Sequence, residues 1–155
     1  MTVTGSGART LVLGNGFGTV QSIWAPIVEA LALDHRVVTF DPAGCGAAEK
    51  AWQRSRHVRL EGYAEDLLGI IEDLDTDQVT YVGHSFSGMA GVLAANTEPA
   101  LFERMILIGA SARYLTSRNC PGPCPWISPP GPMDSPRSSW AIRISRTSPR
   151  GLLNR

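Results

Sequence analysis

This sequence predicts an α/β fold, a mostly parallel sheet with helices on both faces, and three observations carry the prediction. From Arg9 to about Ser111, short apolar runs alternate with longer amphipathic ones. The short runs are nearly continuous in apolar character, as strands buried on both faces of a parallel sheet must be. The stretches between them are long enough for the helical crossovers that parallel strands require.

Taken in order, "TLVLG" (10–14) reads as a buried strand and "QSIWAPIVEALA" (21–32) as a helix. "RVVTFD" (36–41) is a second strand, and the Gly-, Ala- and charge-rich segment from Pro42 to Arg59 is a loop. "LEGYAEDLLGIIEDLD" places Leu60, Tyr63, Ala64, Leu67, Leu68, Ile71 and Leu74 on one helical face, with acids opposite. Gly69 within it costs about 1 kcal/mol relative to alanine, so that face must be well packed. "QVTYVG" is a strand, "SGMAGVLAAN" a helix and "RMILIGA" a further strand.

A chain of 155 residues, 43% hydrophobic and 18% charged, suits one globular domain with a true core. The formal net charge of zero hides an asymmetry. Residues 1–117 hold 8 basic and 13 acidic side chains, whereas 118–155 hold 6 arginines and one acid, Asp134. The second segment also carries 8 of the 11 prolines, which lack the donor that helices and central strands need. Residues 1–117 are therefore expected to form the folded part. Two readings of 118–155 stay open: a disordered tail, or a translation of a shifted reading frame. Its arginines are dispersed rather than clustered, which argues against a nucleic-acid arm.

Three cysteines, Cys45, Cys120 and Cys124, make no disulfide framework, and no further Cys or His at suitable spacing completes a zinc site. The first ten residues lack the basic and apolar regions of a signal peptide, and no apolar run nears the roughly 20 residues of a membrane span. A cytoplasmic location, with no membrane or nucleic-acid partner, no metal and no cofactor, is the expectation.

Chemistry concentrates in "VTYVGHSFSGMAGV" (79–92), where Ser85 stands between a strand and a helix. A serine hydroxyl becomes a useful nucleophile when it is held exposed, near a base and near donors for an oxyanion. A sharp strand-turn-helix does this, and the residues flanking the turn must be small, as Gly83 and Ser87 are, with Gly88 one position later. The helix N-terminus would favour developing negative charge. A serine that merely caps the helix is the plainer reading.

"GNGFG" (14–18) follows the first strand, and its backbone N–H groups could form half of an oxyanion hole. That assigns the main-chain amides of Phe17 and Phe86 as the two donors, each worth about 3 kcal/mol in a transition state. The rival is a dinucleotide fingerprint, Gly14-x-Gly16 with Asp41 ending the next strand. There the third glycine falls at Thr19, whose side chain obstructs close approach of helix and strand. Trp24, Phe40 and Tyr63 could line a pocket, although isolated aromatics are more often core. Cys45 is more often a spectator than a reactive thiol.

Together "GNGFG", "RVVTFDPAGCG", "LEGYAEDLLGIIEDLD", "YVGHSFSGMAG" and "ERMILIGASARYL" resemble the N-terminal half of an α/β-hydrolase, over residues 9–115. They are most similar to the branch holding the bacterial hydrolase of a stress sigma-factor pathway and the plant karrikin and strigolactone receptors. That branch typically reads Gly-His-Ser-Val-Ser, which makes Ser87 an expected feature. It typically reads His-Gly-Phe-Gly where this chain has Asn15-Gly16-Phe17-Gly18. The resemblance implies a Ser-His-Asp triad, an apolar pocket under a helical lid, and hydrolysis of small esters or lactones. It also implies a regulatory protein partner as an alternative role, in sigma-factor signalling.

The superfamily's triad runs in the order serine, acid, histidine. All three histidines, His35, His57 and His84, precede Ser85, and the later acids Glu98, Glu103 and Asp134 sit in no triad context. The lid and the last strands of the resembled fold are missing as well, so the chain reads as truncated or frameshifted and close to inactive.

Overall fold

The computed structural model describes residues 1–110. The boundary expected at 117/118, the 118–155 segment, and Cys120 and Cys124 lie outside the described residues. Among the described residues five strands form one sheet: β1 (Thr2–Thr4), β2 (Arg9–Gly14), β3 (His35–Phe40), β4 (Val79–His84) and β5 (Phe102–Ile108). Their spatial order is β1-β3-β2-β4-β5, and every pairing except that of β1 with β3 is parallel. The helices are α1 (Ala25–Leu31), α2 (Arg54–His57), α3 (Leu60–Glu72) and α4 (Phe86–Thr97).

Alternate residues of a strand face opposite sides of a sheet, and here both sides are covered. Leu11, Leu13 and Val37 point to one side, where Trp24, Val28 and Leu31 of the α1 region pack on them. Val12, Val38, Phe40, Val79 and Tyr81 point to the other, against Ala64, Leu67 and Ile71 of α3 and Ala94 of α4. Each such large side chain contributes about 1.5–3 kcal/mol when fully buried. The helical face expected on α3 is the buried one, and Leu74, just past the helix end, is buried with it. Trp24 and Phe40 belong to this core.

Two features differ from the sequence reading. The antiparallel edge strand β1 has no signal in the sequence, because three residues, Thr-Val-Thr, carry no period long enough to read. The 42–59 segment is more ordered than a plain loop: it holds a 3-10 turn at Gly46–Ala51 and the short α2.

The register places the functional loops. Gly14, the last residue of β2, pairs with Gly83 of β4 and with Phe40 of β3. The segments beginning at Asn15, Asp41 and Ser85 therefore leave the sheet side by side at one end. In open parallel sheets that carboxyl end is where ligands bind.

Candidate active site

Ser85 ends β4 and precedes α4 with φ +51° and ψ −112°, one of two non-glycine residues with positive φ among those described. A non-glycine residue held so costs about 1–3 kcal/mol and persists only where its surroundings enforce it. They do: the Ser85 N–H donates to the carbonyl of Ile108 on β5 at 2.8 Å, and the Met89 N–H donates to the Ser85 carbonyl at 3.3 Å.

The close approach at the turn is between Gly83 and Gly88. A Cβ at Gly83 would lie 2.5 Å from the Gly88 Cα. The sequence motif puts Ser87 in that place, but the Ser87 side chain turns to the neighbouring loop. Its Oγ donates to the carbonyl of Asn15, and it is buried there. The Tyr81 hydroxyl, buried beneath, donates to the Ser87 carbonyl at 2.9 Å. Burial pushes the Tyr81 hydroxyl above its ordinary pKa, so it stays a neutral donor.

The Gly14–Gly18 loop thus abuts the Ser85 turn directly. The Phe17 and Phe86 rings meet edge to face with centroids 6.2 Å apart. Phe86 in turn meets Tyr63 at 4.7 Å, and Tyr63 meets His57 at 5.0 Å. A cavity of about 400 Å³ opens beside this aromatic row, lined by Phe40, Ala43, Tyr63, Phe86 and Ala90 among others. Phe40 and Tyr63, two of the aromatics that could line a pocket, thus serve cavity and core at once. Ser85 is at the neighbouring turn rather than on the cavity wall.

Among the described residues no hydrogen bond joins a histidine to the Ser85 hydroxyl. His35 is at the far end of β3, its Nδ1 3.2 Å from the Leu31 carbonyl. His84 packs under the loop, where a Cβ on Gly16 would sit 2.6 Å from its Nδ1. His57 is buried with both ring nitrogens engaged. Its Nδ1 accepts from the Gln53 N–H at 2.8 Å, so the neutral ring carries its proton on Nε2 and donates it to Asp66 at 2.9 Å. Arg56 holds the other Asp66 oxygen at 2.9 Å. His57 and Asp66 pin α2 onto α3, a role that sequence spacing does not signal.

Asp41 also has a structural task. Its carboxylate accepts from the Gln21 N–H at 2.7 Å, the Gln21 side chain at 3.1 Å and the Ala47 N–H at 3.0 Å. Burial alone would raise its pKa, but these donors outweigh it and hold the carboxyl below its ordinary value. With its oxygens so committed, Asp41 is no ribose-binding acid, which removes the dinucleotide reading. The Cys45 thiol is pushed upward by burial and by Asp41, against a hydrogen bond from Gly18.

Among the described residues no cluster of His, Cys, Asp and Glu could hold a metal ion, and no helix is long and apolar enough to cross a membrane.

Residues 9–142 match the family described as alpha/beta hydrolase fold. Karrikin insensitive 2 receptor IA of Petunia hybrida is 46% identical over 116 residues, covering 74% of this chain and 42% of the receptor. Strigolactone esterase D14 of Arabidopsis thaliana is 39% identical over 121 residues, covering 77% of this chain and 45% of the esterase. A solved hydrolase from Oleispira antarctica superposes with a TM-score of 0.69 at 30% identity, over 78% of this chain and 44% of that one. The chain spans less than half the length of these relatives.

Proposed function

This chain belongs to the α/β-hydrolase fold family, and from that premise we propose that Ser85 is the nucleophile of a hydrolase acting on small esters or lactones. The single observation that carries the reading is the strained Ser85 at the strand-helix turn, against which the Phe17 loop is packed. The serine oxygen adds to the acyl carbon, and the carbonyl oxygen gains the negative charge. The main-chain N–H groups of Phe17 and Phe86 hold that oxyanion, with the N-terminus of α4 adding its dipole. The cavity beside Phe86 receives the apolar part of the substrate. The proton of Ser85 must go to a base, and no histidine of this chain fills that role. Loss of the triad histidine has cost on the order of 10⁶ in rate in a serine hydrolase.

Accordingly, the chain by itself is expected to hydrolyse p-nitrophenyl acetate at the background rate, and added imidazole is expected to raise a component that Ser85→Ala abolishes. A Ser85-dependent fluorophosphonate labelling without added base would overturn the inactivity. Failure of imidazole to reveal any Ser85-dependent rate would overturn the nucleophile.

The receptor names of several relatives favour a second reading, in which occupancy of the pocket alters a contact with a regulatory protein. A stress sigma-factor pathway is one setting for it. Retention of a signalling protein by an intact homologue under mild conditions supports this role; retention of none counts against it.

A further inference from the structure

We propose that Thr19 is a positioning residue that aims the Phe17 amide at the oxyanion position, and that the Asn15 side chain holds Thr19 in place. The proposal rests on the Ser85 reading above and gives a role to two residues it does not use. Gly16 and Phe17 share one peptide unit. No peptide among the described residues is cis, and in a planar trans unit the C=O and N–H point in opposite directions. Whatever holds the Gly16 carbonyl therefore sets the heading of the Phe17 N–H.

Thr19 holds it twice. Its hydroxyl donates to the Gly16 oxygen at 2.7 Å, and its own N–H donates there at 3.2 Å. The second bond closes a four-residue turn in which Gly18 has φ +70°, the left-handed value a type II turn needs at its third position. The Asn15 amide then fastens Thr19, its Nδ2 donating to the Thr19 carbonyl at 2.6 Å and to the hydroxyl at 3.3 Å. The Asn15 carbonyl is fixed in turn by Ser87, the second residue after the nucleophile. One chain of hydrogen bonds thus runs from Tyr81 through Ser87 and Asn15 to Thr19 and the Gly16–Phe17 peptide, tying one proposed donor to the element that carries the other.

A second observation separates positioning from mere support. Asn15 is fully buried, and among the described residues its Oδ1 has no hydrogen-bond partner. A buried acceptor without a partner costs stability, which an apolar residue of similar shape would not. The amide at position 15 therefore acts through its Nδ2, which bonds Thr19.

The test follows the Phe17 and Phe86 amides by 15N–1H NMR while phenylboronic acid is titrated into the chain. Addition of the Ser85 oxygen to boron, with the serine proton released to solvent, makes a tetrahedral anion whose oxygen sits where the oxyanion would. Thr19→Val is expected to weaken boronate binding about tenfold and to remove the Phe17 shift while sparing that of Phe86. Thr19→Ser, which keeps the hydroxyl, should stay within about twofold of the wild type. Asn15→Leu, which takes the Nδ2 donor from Thr19, should repeat the loss at Phe17 while sparing the Phe86 shift. Wild-type behaviour of Thr19→Val, or equal damage from Thr19→Ser, overturns the positioning role. Binding unaffected by Ser85→Ala overturns the nucleophile reading instead. If the wild type forms no adduct, 15N relaxation without ligand decides: Thr19→Val must drop the Phe17 amide from a rigid order parameter of about 0.85 to below about 0.6. An unchanged value refutes the proposal.

Discussion

The strands "RTLVLG" (9–14) and "RMILIG" (104–109) are close to interchangeable as text: an arginine, four mostly apolar residues, a glycine. In the molecule they are opposites. Leu13 of β2 is fully buried, whereas Ile106, Leu107 and Ile108 of β5 are 50%, 45% and 44% exposed. β2 has β3 and β4 on its two edges and helices above and below, while among the described residues β5 pairs with β4 alone. Apolar content says that a strand can be buried. How many neighbours it has decides whether it is.

The sharpest way to break this comparison is to truncate both strands equally. Leu13→Ala should cost about 3 kcal/mol and Leu107→Ala less than about 1 kcal/mol, measured by urea unfolding. Equal costs would mean that β5 is covered after all. Two glycines sharpen the contrast at a smaller scale. Gly83 is at the crowded end of a central strand, and Gly83→Ala forces a Cβ against the Gly88 backbone for about 1–3 kcal/mol. Gly69 on α3 has open space where a Cβ would go, so Gly69→Ala should stabilise by about 0.5–1 kcal/mol. A reversal of sign at either glycine would contradict the packing described.

The smallest effect concerns the loop end of β3. Because the Asp41 carboxyl is held below its ordinary pKa, its contribution is fully present above the unfolded value of about 3.9 and fades as pH falls through the folded value. The stability gap between wild type and Asp41→Asn should therefore be largest near neutrality and close towards pH 3. A gap that widens with acid would contradict the assigned hydrogen bonds.

Much of the fold is readable because periodicity and burial agree for β2 to β4 and for α3 and α4. Ser85 is readable because a polar residue between a clear strand and a clear helix, with glycines nearby, fits a tight turn better than it fits either element. Thr19 is legible only as the residue that spoils a dinucleotide motif, and His57 only as a histidine on the wrong side of the nucleophile. Their partners are Gly16, Asn15 and Asp66, and nothing in linear spacing announces such hydrogen bonds. Gly88 rather than Ser87 meets Gly83 because the helix starts directly after Ser85, and that rotation sends Ser87 towards Asn15.

By itself the sequence determined that β2 to β5 are strands and that α3 and α4 are helices, that the sheet is mostly parallel, and that a lone serine stands at a tight bend. Those follow from local periodicity and from the few residue types that tolerate such a bend. Only the tertiary structure decided that Gly14 pairs with Gly83, that Ser87 reaches Asn15 across 72 positions, and that β5 is the last strand in the sheet order among the described residues. Register, non-local hydrogen bonding and edge position depend on which strands become neighbours, and that is a property of the whole packed chain rather than of any segment of it.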